Sequence, residues 1–172
     1  SSSHEPFEVP YQRLENPKLN AFAYTDSVVG NFISKFKKLP QWDNTVVILV
    51  PDHLGAYPDN LSNLSPSRYQ IPLLMVGGVV KEAKRIDTFG SQHDLAATLL
   101  AQLGIAHQSF VFSKNMLDER SPHFAFFTIP DAFGIVTENG HLVYDCQAGR
   151  VDSENNGNGY LEKGQAYLQK LY

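Results

Sequence analysis

Apolar residues recur at helical spacing over residues 19–39, and this pattern predicts a long amphipathic helix. Its apolar face would carry Phe22, Val29, Phe32, Ile33, Phe36 and Leu39. A second helix is predicted over 90–105, because Ser91 and Asp94 have the spacing of a capping box and Gly104 follows as a stop signal. Both predictions depend on local signals alone.

Two apolar runs between these helices, residues 45–50 and 70–78, lack helical spacing. Both runs are continuous, which is typical of strands covered on both faces in a parallel sheet. The stretch 51–68 between them is rich in Pro, Asn, Ser and Gly, so we expect a long surface loop of a length that is usually functional or mobile. The order helix, strand, loop, strand, helix predicts an α/β domain with a parallel sheet.

The pattern changes in the last third of the chain. Three short β-rich runs fill residues 123–146, and Asn139-Gly140 between two of them is the signal of a type I′ hairpin turn. A closing helix is predicted over 160–172. We therefore expect an α/β part followed by a small antiparallel sheet with one helix. The predicted boundaries of these two parts are 1–120 and 121–172.

Composition narrows the functions that this chain can have. It has 172 residues, of which 42% are hydrophobic, so it can bury a core. The formal net charge is −4, and the basic cluster Lys35, Lys37 and Lys38 falls in the last turn of the first predicted helix, so nucleic-acid binding is not expected. Cys146 is the single cysteine, which excludes an intrachain disulfide and metal sites built from several thiolates.

The ends of the chain suggest a piece of a longer protein. No apolar run reaches the roughly 18 residues that span a bilayer, and the N-terminus lacks the order of a signal peptide. The opening SSSHEPFEVP has no initiator Met and reads like the middle of a chain, so we expect a fragment or a processed piece. A fragment missing half of a sheet would expose an apolar strand edge, and we therefore expect a homodimer or aggregation unless that edge is covered.

The first apolar run ends on Asp52 and His53. In parallel α/β sheets, sites form beyond the carboxyl ends of the strands. Neighbouring strand residues point to opposite faces, so both side chains can aim at one point only if the chain turns, and Pro51 and Gly55 favour a turn. The pair would then offer an oxygen and a nitrogen ligand, each about 2.0–2.2 Å from a divalent ion. A buried Asp-His hydrogen bond, or a strand-end turn without metal, is the alternative.

Longer stretches carry a family resemblance. Residues 23–55 resemble the alkaline phosphatase superfamily, with a helix that carries Thr-Asp and Gly, then W-D-N-T-V-V, then a strand that ends in Asp-His. Within it, the chain is similar to sulfatases of the lipoteichoic acid synthase type through SSSHEPFEVP, RYQIPLLMVGG and GSQHDLAATLLAQLGI. The resemblance implies an α/β fold, in which this chain is the C-terminal portion of a mostly parallel sheet flanked by helices.

The resemblance also implies roles for three residues. Asp52 and His53 would bind one divalent metal ion (Mn, Zn, Mg or Ca), and His4 would touch the phosphate or sulfate group of the substrate. The family's nucleophile and first acidic metal ligand come from segments upstream of SSSHEP, so no nucleophile is assigned in this chain. Neither the N-terminal serines nor Cys146, which lacks the Cys-x-Pro-x-Arg context of a formylglycine precursor, takes that role.

Two further residues are candidates for substrate binding. Arg68 follows the long loop, and its guanidinium could pair with a tetrahedral oxyanion, or it could be a solvated surface residue. His93 stands where family members usually carry an aliphatic residue. It could bind substrate or a second metal, or it could be a polar residue at a helix N-terminus.

The resemblance predicts part of a metal-dependent phosphotransferase, phosphodiesterase or sulfatase. The favoured activities are phosphoglycerol or phosphoethanolamine transfer and phosphodiester cleavage, with a lipid head group as one candidate substrate. Relatives are usually anchored in a bacterial cytoplasmic membrane with the catalytic domain outside. The missing N-terminal part would complete the site. The alternatives are a non-catalytic binding or structural domain with the same fold, and a metal-free hydrolase, for which the chain has no nucleophile motif.

Overall fold

The structure is a computed structural model, and it describes residues 10, 12–54 and 57–172 of the chain. The described residues form two compact units. The first unit holds the described residues up to Leu61 together with Gln70–Lys84. The second unit holds Ser62–Tyr69 together with Arg85–Tyr172.

Helix α1, Pro17–Phe36, is the longest element of the first unit. Asn16 caps its N-terminus, because the side-chain oxygen of Asn16 accepts a hydrogen bond from the Lys18 N–H at 2.9 Å. Pro17 occupies the first turn, where a missing N–H leaves no intrahelical bond unmade. The helix predicted over 19–39 is confirmed, although the structure places both of its ends a little earlier in the chain.

Strands β1, Val47–Leu49, and β2, Leu74–Val76, form a two-stranded sheet in the first unit. They pair antiparallel, with Val47 opposite Val76 and Leu49 opposite Leu74, so the predicted parallel pairing of these two runs is wrong. A parallel neighbour needs a crossover connection, usually a helix. The described part of this connection contains only the short 3-10 helix Pro66–Tyr69, so the chain returns to the end of the sheet that it has just left.

The two glycines after β2 allow the chain to pass close to the segment that precedes β1. Gly77 has φ +149°, and a Cβ placed on it would collide with the carbonyl of Thr45. Gly78 donates its N–H to the Trp42 carbonyl at 3.0 Å, and a Cβ there would collide with the same oxygen. Two consecutive residues without a side chain are therefore required where β2 passes the segment that leads into β1.

Helix α2, Asp94–Gln102, belongs to the second unit and confirms the second predicted helix. Asp94 accepts a hydrogen bond from the Ser91 N–H at 2.8 Å, which is one half of the predicted capping box. The Ser91 hydroxyl instead bonds to the backbone of Phe126. Gly104 ends the helix with φ +67°, and Ile105 N–H closes a Schellman motif on the Leu100 carbonyl.

The rest of the second unit is an antiparallel sheet in the order β3-β4-β5-β6, followed by a helix. Three of the strands and the helix were predicted, whereas β6 was not. The elements are β3 (Ala125–Ile129), β4 (Ala132–Thr137), β5 (Gly140–Asp145), β6 (Arg150–Asn155) and α3 (Tyr160–Leu171). The core contains Phe126, Phe133, Ile135 and Leu142, with Tyr167 and Leu168 of α3 packed against it. Gly164 lets α3 approach this core, because a Cβ there would collide with the Phe133 ring.

The β4–β5 hairpin is where predicted, but its turn is different. Thr137 pairs with Gly140, so Glu138 and Asn139 are the two turn residues, and none of these residues has the positive φ that a type I′ turn requires. Gly140 is needed for another reason. A Cβ on Gly140 would collide with the Asn155 carbonyl of β6, so this glycine permits close packing of two backbones.

The two compact units do not coincide with the predicted parts. Helix α2 lies in one unit with the C-terminal sheet, whereas the proposed boundary at residue 120 separates them. That boundary stays a prediction. Among the residues that the structure describes, no helix is long and apolar enough to cross a membrane.

Candidate metal centre

The Asp52–His53 pair lies just beyond β1, in the first unit. The Asp52 carboxylate accepts a hydrogen bond from the backbone N–H of His53 at 2.8 Å through Oδ1. This bond turns the carboxylate towards the following residue. The Asp52 side chain is 78% exposed, so its charge is not buried.

The His53 ring is oriented by the backbone of the next residue. Its Nδ1 lies 2.9 Å from the Leu54 carbonyl oxygen. Because a carbonyl oxygen only accepts, Nδ1 carries the proton and Nε2 keeps its lone pair. Metal-binding histidines commonly donate their second ring N–H to a carbonyl or carboxylate in this way.

The distance between the two side chains excludes one of the alternatives to a metal site. Nε2 of His53 lies 3.6 Å from Oδ2 of Asp52, which is too long for a hydrogen bond. The buried Asp–His hydrogen bond considered as an alternative is therefore absent from this pair. Two ligands at 2.0–2.2 Å from one tetrahedral ion would be roughly 3.4 Å apart. The donor atoms thus fit a shared divalent ion.

The pair alone does not complete a metal centre. Within the described residues, no group of three or more His, Cys, Asp or Glu side chains is arranged to hold a metal ion. His4, the third candidate for this site, lies outside the described residues. A metal ion at this pair would need further ligands from outside the described residues.

Arg68 lies in the second unit, in the 3-10 helix Pro66–Tyr69. Its guanidinium hydrogen-bonds to Tyr69, whose hydroxyl donates to the Asn63 carbonyl at 2.8 Å. The Tyr69 ring stacks on Phe127 at 4.1 Å between centroids. Burial raises the pKa of Tyr69, although the charge of Arg68 acts in the opposite direction. Arg68 is thus part of a local network, and its role in substrate binding stays a prediction.

His93 also lies in the second unit, at the N-cap position of α2. Its side chain makes no capping hydrogen bond, and Nε2 instead lies 3.0 Å from the hydroxyl of Tyr167 on α3. Burial lowers the pKa of His93, and the Lys114 ammonium adds to that shift, whereas Asp94 opposes it. The same burial, together with Asp94, raises the pKa of Tyr167 to about 12. The imidazole of His93 and the hydroxyl of Tyr167 are thus within hydrogen-bond distance, and His93 joins two helices. Its role in substrate binding stays a prediction.

The sequence analysis missed the closed cluster beside His93. Asp94 is fully buried, and its two oxygens each lie 2.9 Å from the Lys114 ammonium. The backbone N–H groups of Ser91 and Lys114 complete its hydrogen bonds at 2.8 Å. Lys114 is twenty residues from Asp94 in an irregular stretch, so no periodic pattern links the two. This cluster holds the chain after α2 in place.

Comparison with known proteins assigns this chain to a family. A model of the sulfatase family matches residues 3–105, which is more than half of the chain. The chain belongs to the sulfatase family. The match includes Asp52 and His53 and confirms the resemblance that the motifs indicated.

Curated relatives of this sulfatase-family chain are bacterial transferases. Phosphoglycerol transferase I of Xanthomonas campestris pv. campestris is 27% identical over 127 residues, which cover 70% of this chain and 18% of the relative. Phosphoglycerol transferase I of Xanthomonas axonopodis pv. citri is 25% identical over 127 residues, with the same two coverages. The chain thus spans about a fifth of the length of the curated relatives that it matches.

A solved structure shows the fold of this sulfatase-family chain. The crystal structure of a protein in the alkaline phosphatase superfamily from Vibrio parahaemolyticus matches with a TM-score of 0.73 and 24% identity. The match covers 96% of this chain and 45% of the solved one. The α/β class is thereby confirmed, with the small antiparallel sheet at the C-terminal end.

Proposed function

We propose that this chain supplies the Asp52–His53 ligand pair to the catalytic domain of a metal-dependent phosphotransferase or phosphodiesterase. The observation that carries the proposal is the 3.6 Å separation of His53 Nε2 and Asp52 Oδ2, with Nδ1 of His53 engaged by Leu54. The names of the curated relatives favour phosphoglycerol transfer, and phosphoethanolamine transfer or phosphodiester cleavage would use the same site. Sulfate esters are the competing substrate class within the family.

Each residue of the pair has a defined part in this proposal. A bound divalent ion would act as a Lewis acid that stabilises charge on the oxygens of the phosphoryl group. The Asp52 carboxylate supplies negative charge at the exposed side of the pair, and His53 supplies a neutral nitrogen ligand. The Leu54 carbonyl keeps the proton on Nδ1 of His53, so that Nε2 stays available. His4 would hold or protonate the transferred group.

The remaining parts of the site belong to a longer protein in this proposal. The nucleophile and the first acidic ligand would be supplied by a segment upstream of this chain, so we expect the chain by itself to be inactive. Such a protein would be anchored in a bacterial membrane with this domain outside the cytoplasm, and its substrate could include a lipid head group. A non-catalytic binding domain remains the rival, because two ligands alone do not close a metal site.

The two-stranded sheet of the first unit leaves apolar side chains exposed. Val46, Val50, Leu73 and Leu74, at or beside the ends of β1 and β2, are exposed. An exposed apolar strand edge tends to pair with another chain, so we propose that the isolated chain forms a homodimer through it. Sedimentation velocity over a range of concentrations would measure this. A monomer at the highest concentration would contradict it.

Calorimetric titration with Mn²⁺ and Zn²⁺ tests the metal proposal. The wild-type chain should bind, and both Asp52→Ala and His53→Ala should weaken the binding at least roughly tenfold, as expected when a ligand is removed. Asp59→Ala, in the same loop, is the matched control and should bind like the wild type. Binding that ignores both ligand substitutions would contradict the proposal.

A further inference from the structure

The end of the long loop between β1 and β2 is attached to the C-terminal sheet. Ser62–Tyr69 belongs to the second unit, whereas the described residues on either side of this segment belong to the first. The ring of Tyr69, the last residue of the segment, stacks on the ring of Phe127 in β3, with 4.1 Å between centroids and 21° between planes. Such aromatic pairs add to the stability that burial of the rings provides. This contact therefore fastens the segment to the sheet.

The Tyr69–Phe127 contact lies on the face of the sheet opposite to α3. Phe127 is paired with Gly134 in β4, and paired residues of antiparallel strands share one face. Phe126, the neighbour of Phe127 in β3, points to the other face, where Tyr167 of α3 packs against it. The sheet thus holds α3 on one face and the end of the loop on the other.

Gly134 makes room for the Phe127 ring. A Cβ on Gly134 would collide with that ring. The ring therefore lies over a position without a side chain. A methyl group added at Gly134 would push the ring away from its present position against Tyr69.

The hydroxyl of Tyr69 holds the side chain of its neighbour. It donates to the Asn63 carbonyl at 2.8 Å. Because a carbonyl oxygen only accepts, the lone pairs of the phenol oxygen are left for a donor, and the Arg68 guanidinium bonds to this oxygen. The Arg68 N–H also bonds to the Ser65 carbonyl at 3.0 Å. Arg68 is therefore fixed through its backbone within the segment and through its side chain by Tyr69.

We propose that Tyr69 is a positioning residue for Arg68. Its ring holds the Ser62–Tyr69 segment on Phe127, and its hydroxyl holds the Arg68 guanidinium. The C-terminal sheet thereby sets the place of a side chain whose geometry suits a tetrahedral oxyanion. The part of this inference that concerns substrate rests on the proposed function, whereas the position of Arg68 can be measured without substrate or metal.

Two NMR measurements on the metal-free chain separate the part of the ring from the part of the hydroxyl. Amide hydrogen exchange of Arg68 reports how firmly the segment is held, and ¹⁵N relaxation at Arg68 Nε reports how firmly the guanidinium is held. Tyr69→Leu should raise the amide exchange rate roughly fivefold, the size expected for one lost aromatic contact. It should also lower the order parameter at Nε from about 0.8 to below about 0.6.

Tyr69→Phe keeps the ring and removes the hydroxyl. It should therefore lower the order parameter at Arg68 Nε as Tyr69→Leu does, and leave the exchange rate of the Arg68 amide unchanged. A separate effect on the guanidinium is not expected of a residue that only stabilises the fold.

Gly134→Ala tests the contact from a residue outside the segment. Because it displaces the Phe127 ring, it should raise the exchange rate of the Arg68 amide roughly as much as Tyr69→Leu. Gly164→Ala is the matched control, because its Cβ would collide with the Phe133 ring on the α3 face. It should lower stability and leave Arg68 unchanged, since this amide exchanges by local opening of its own segment.

The proposal is overturned if Tyr69→Phe leaves the guanidinium as rigid as in the wild type, or if Tyr69→Leu leaves the amide exchange unchanged. It is also overturned if Gly164→Ala speeds this exchange as much as Gly134→Ala. The Mn²⁺ titration is independent, because Arg68 is not a proposed metal ligand. Failure of the metal proposal would leave the role of Tyr69 standing, and unchanged Arg68 signals would overturn that role even in a chain that binds Mn²⁺.

Discussion

The chain contains two neighbouring pairs of aspartate and histidine with opposite environments. In the first unit, Asp52 is 78% exposed, and its Oδ2 lies 3.6 Å from the His53 nitrogen that keeps a lone pair. In the second unit, Asp94 is fully buried, and Lys114 and two backbone N–H groups occupy both of its oxygens. Residue types and adjacency are the same in both pairs, and the facing atoms are almost equally far apart, with 3.7 Å between His93 Nε2 and Asp94 Oδ1. These features therefore do not decide whether a pair can take a ligand.

The environment of the donor atoms decides whether the pair can bind a ligand. A buried carboxylate is tolerated only when it is paired and hydrogen-bonded, and Asp94 meets that condition within the protein. Its charge is used to hold the chain after α2. The Asp52–His53 pair instead has an exposed carboxylate, at a distance from Nε2 of His53 that a divalent ion would bridge. One pair therefore contributes to stability, and the other is suited to binding.

The largest expected effect comes from removing the buried carboxylate. Asp94→Ala leaves the Lys114 ammonium, only 13% exposed, without its partner, so the free energy of unfolding should fall by about 3–5 kcal/mol. Asp52→Ala is the control and should change it by no more than about 1 kcal/mol, the contribution of the bond that this exposed carboxylate accepts from the His53 N–H. Urea denaturation followed by circular dichroism measures both values. Equal losses of stability in the two variants would contradict the difference between the two pairs.

Removing the other partner should cost about as much. Lys114→Met keeps an apolar stem near the Phe124 ring and leaves the fully buried Asp94 carboxylate with two backbone donors but without its cation. We expect the free energy of unfolding to fall by about 3–5 kcal/mol, because an uncompensated charge is left buried. A much smaller loss in the same urea measurement would show that the two backbone bonds are enough to stabilise the carboxylate.

A smaller loss is expected at the contact between α2 and α3. Tyr167→Phe removes the hydroxyl that lies 3.0 Å from His93 and keeps the ring packed on Phe126. The free energy of unfolding should fall by about 0.5–1.5 kcal/mol, the usual contribution of one hydrogen bond. Thermal and urea unfolding of the variant beside the wild type would check this, and an unchanged stability would mean that the hydroxyl contributes nothing.

The smallest expected effect is a dependence on pH. Because the pKa of His93 is lowered in the folded chain, the unfolded chain binds more protons as the pH falls below the ordinary value of 6.5. The contribution of His93 to stability is therefore present above that value and is lost as the solution becomes more acidic. His93→Gln should lose less stability than the wild type between about pH 7 and pH 5.

The elements that could be predicted from the sequence are those set by local signals. The Schellman glycine Gly104 and the periodic apolar faces define the helices without reference to distant residues. Asn16, which caps α1, was not predicted. The direction in which β1 and β2 pair depends on the course of the connection between them, so the continuous apolar runs predicted it wrongly. Gly140 was assigned to the turn because its true neighbour, the backbone of β6, is distant in sequence.

The candidate site, too, could be predicted only in part. Asp52 and His53 were predicted because they follow a strand and match a family motif, but their separation depends on side-chain and backbone dihedrals that no pattern encodes. The contacts of His93 with Tyr167 and of Asp94 with Lys114 join residues 74 and 20 positions apart. Burial and charge at such contacts arise only when the chain is folded.

The most direct test of the difference between the two pairs is a Mn²⁺ titration of the wild-type chain, followed through the histidine side-chain NMR signals. Mn²⁺ broadens the signals of nuclei close to it. The account predicts that the His53 signals broaden first, that His93 keeps its signals at the same metal concentration, and that Asp52→Ala removes the effect at His53. Broadening at His93 with His53 unaffected would contradict the account.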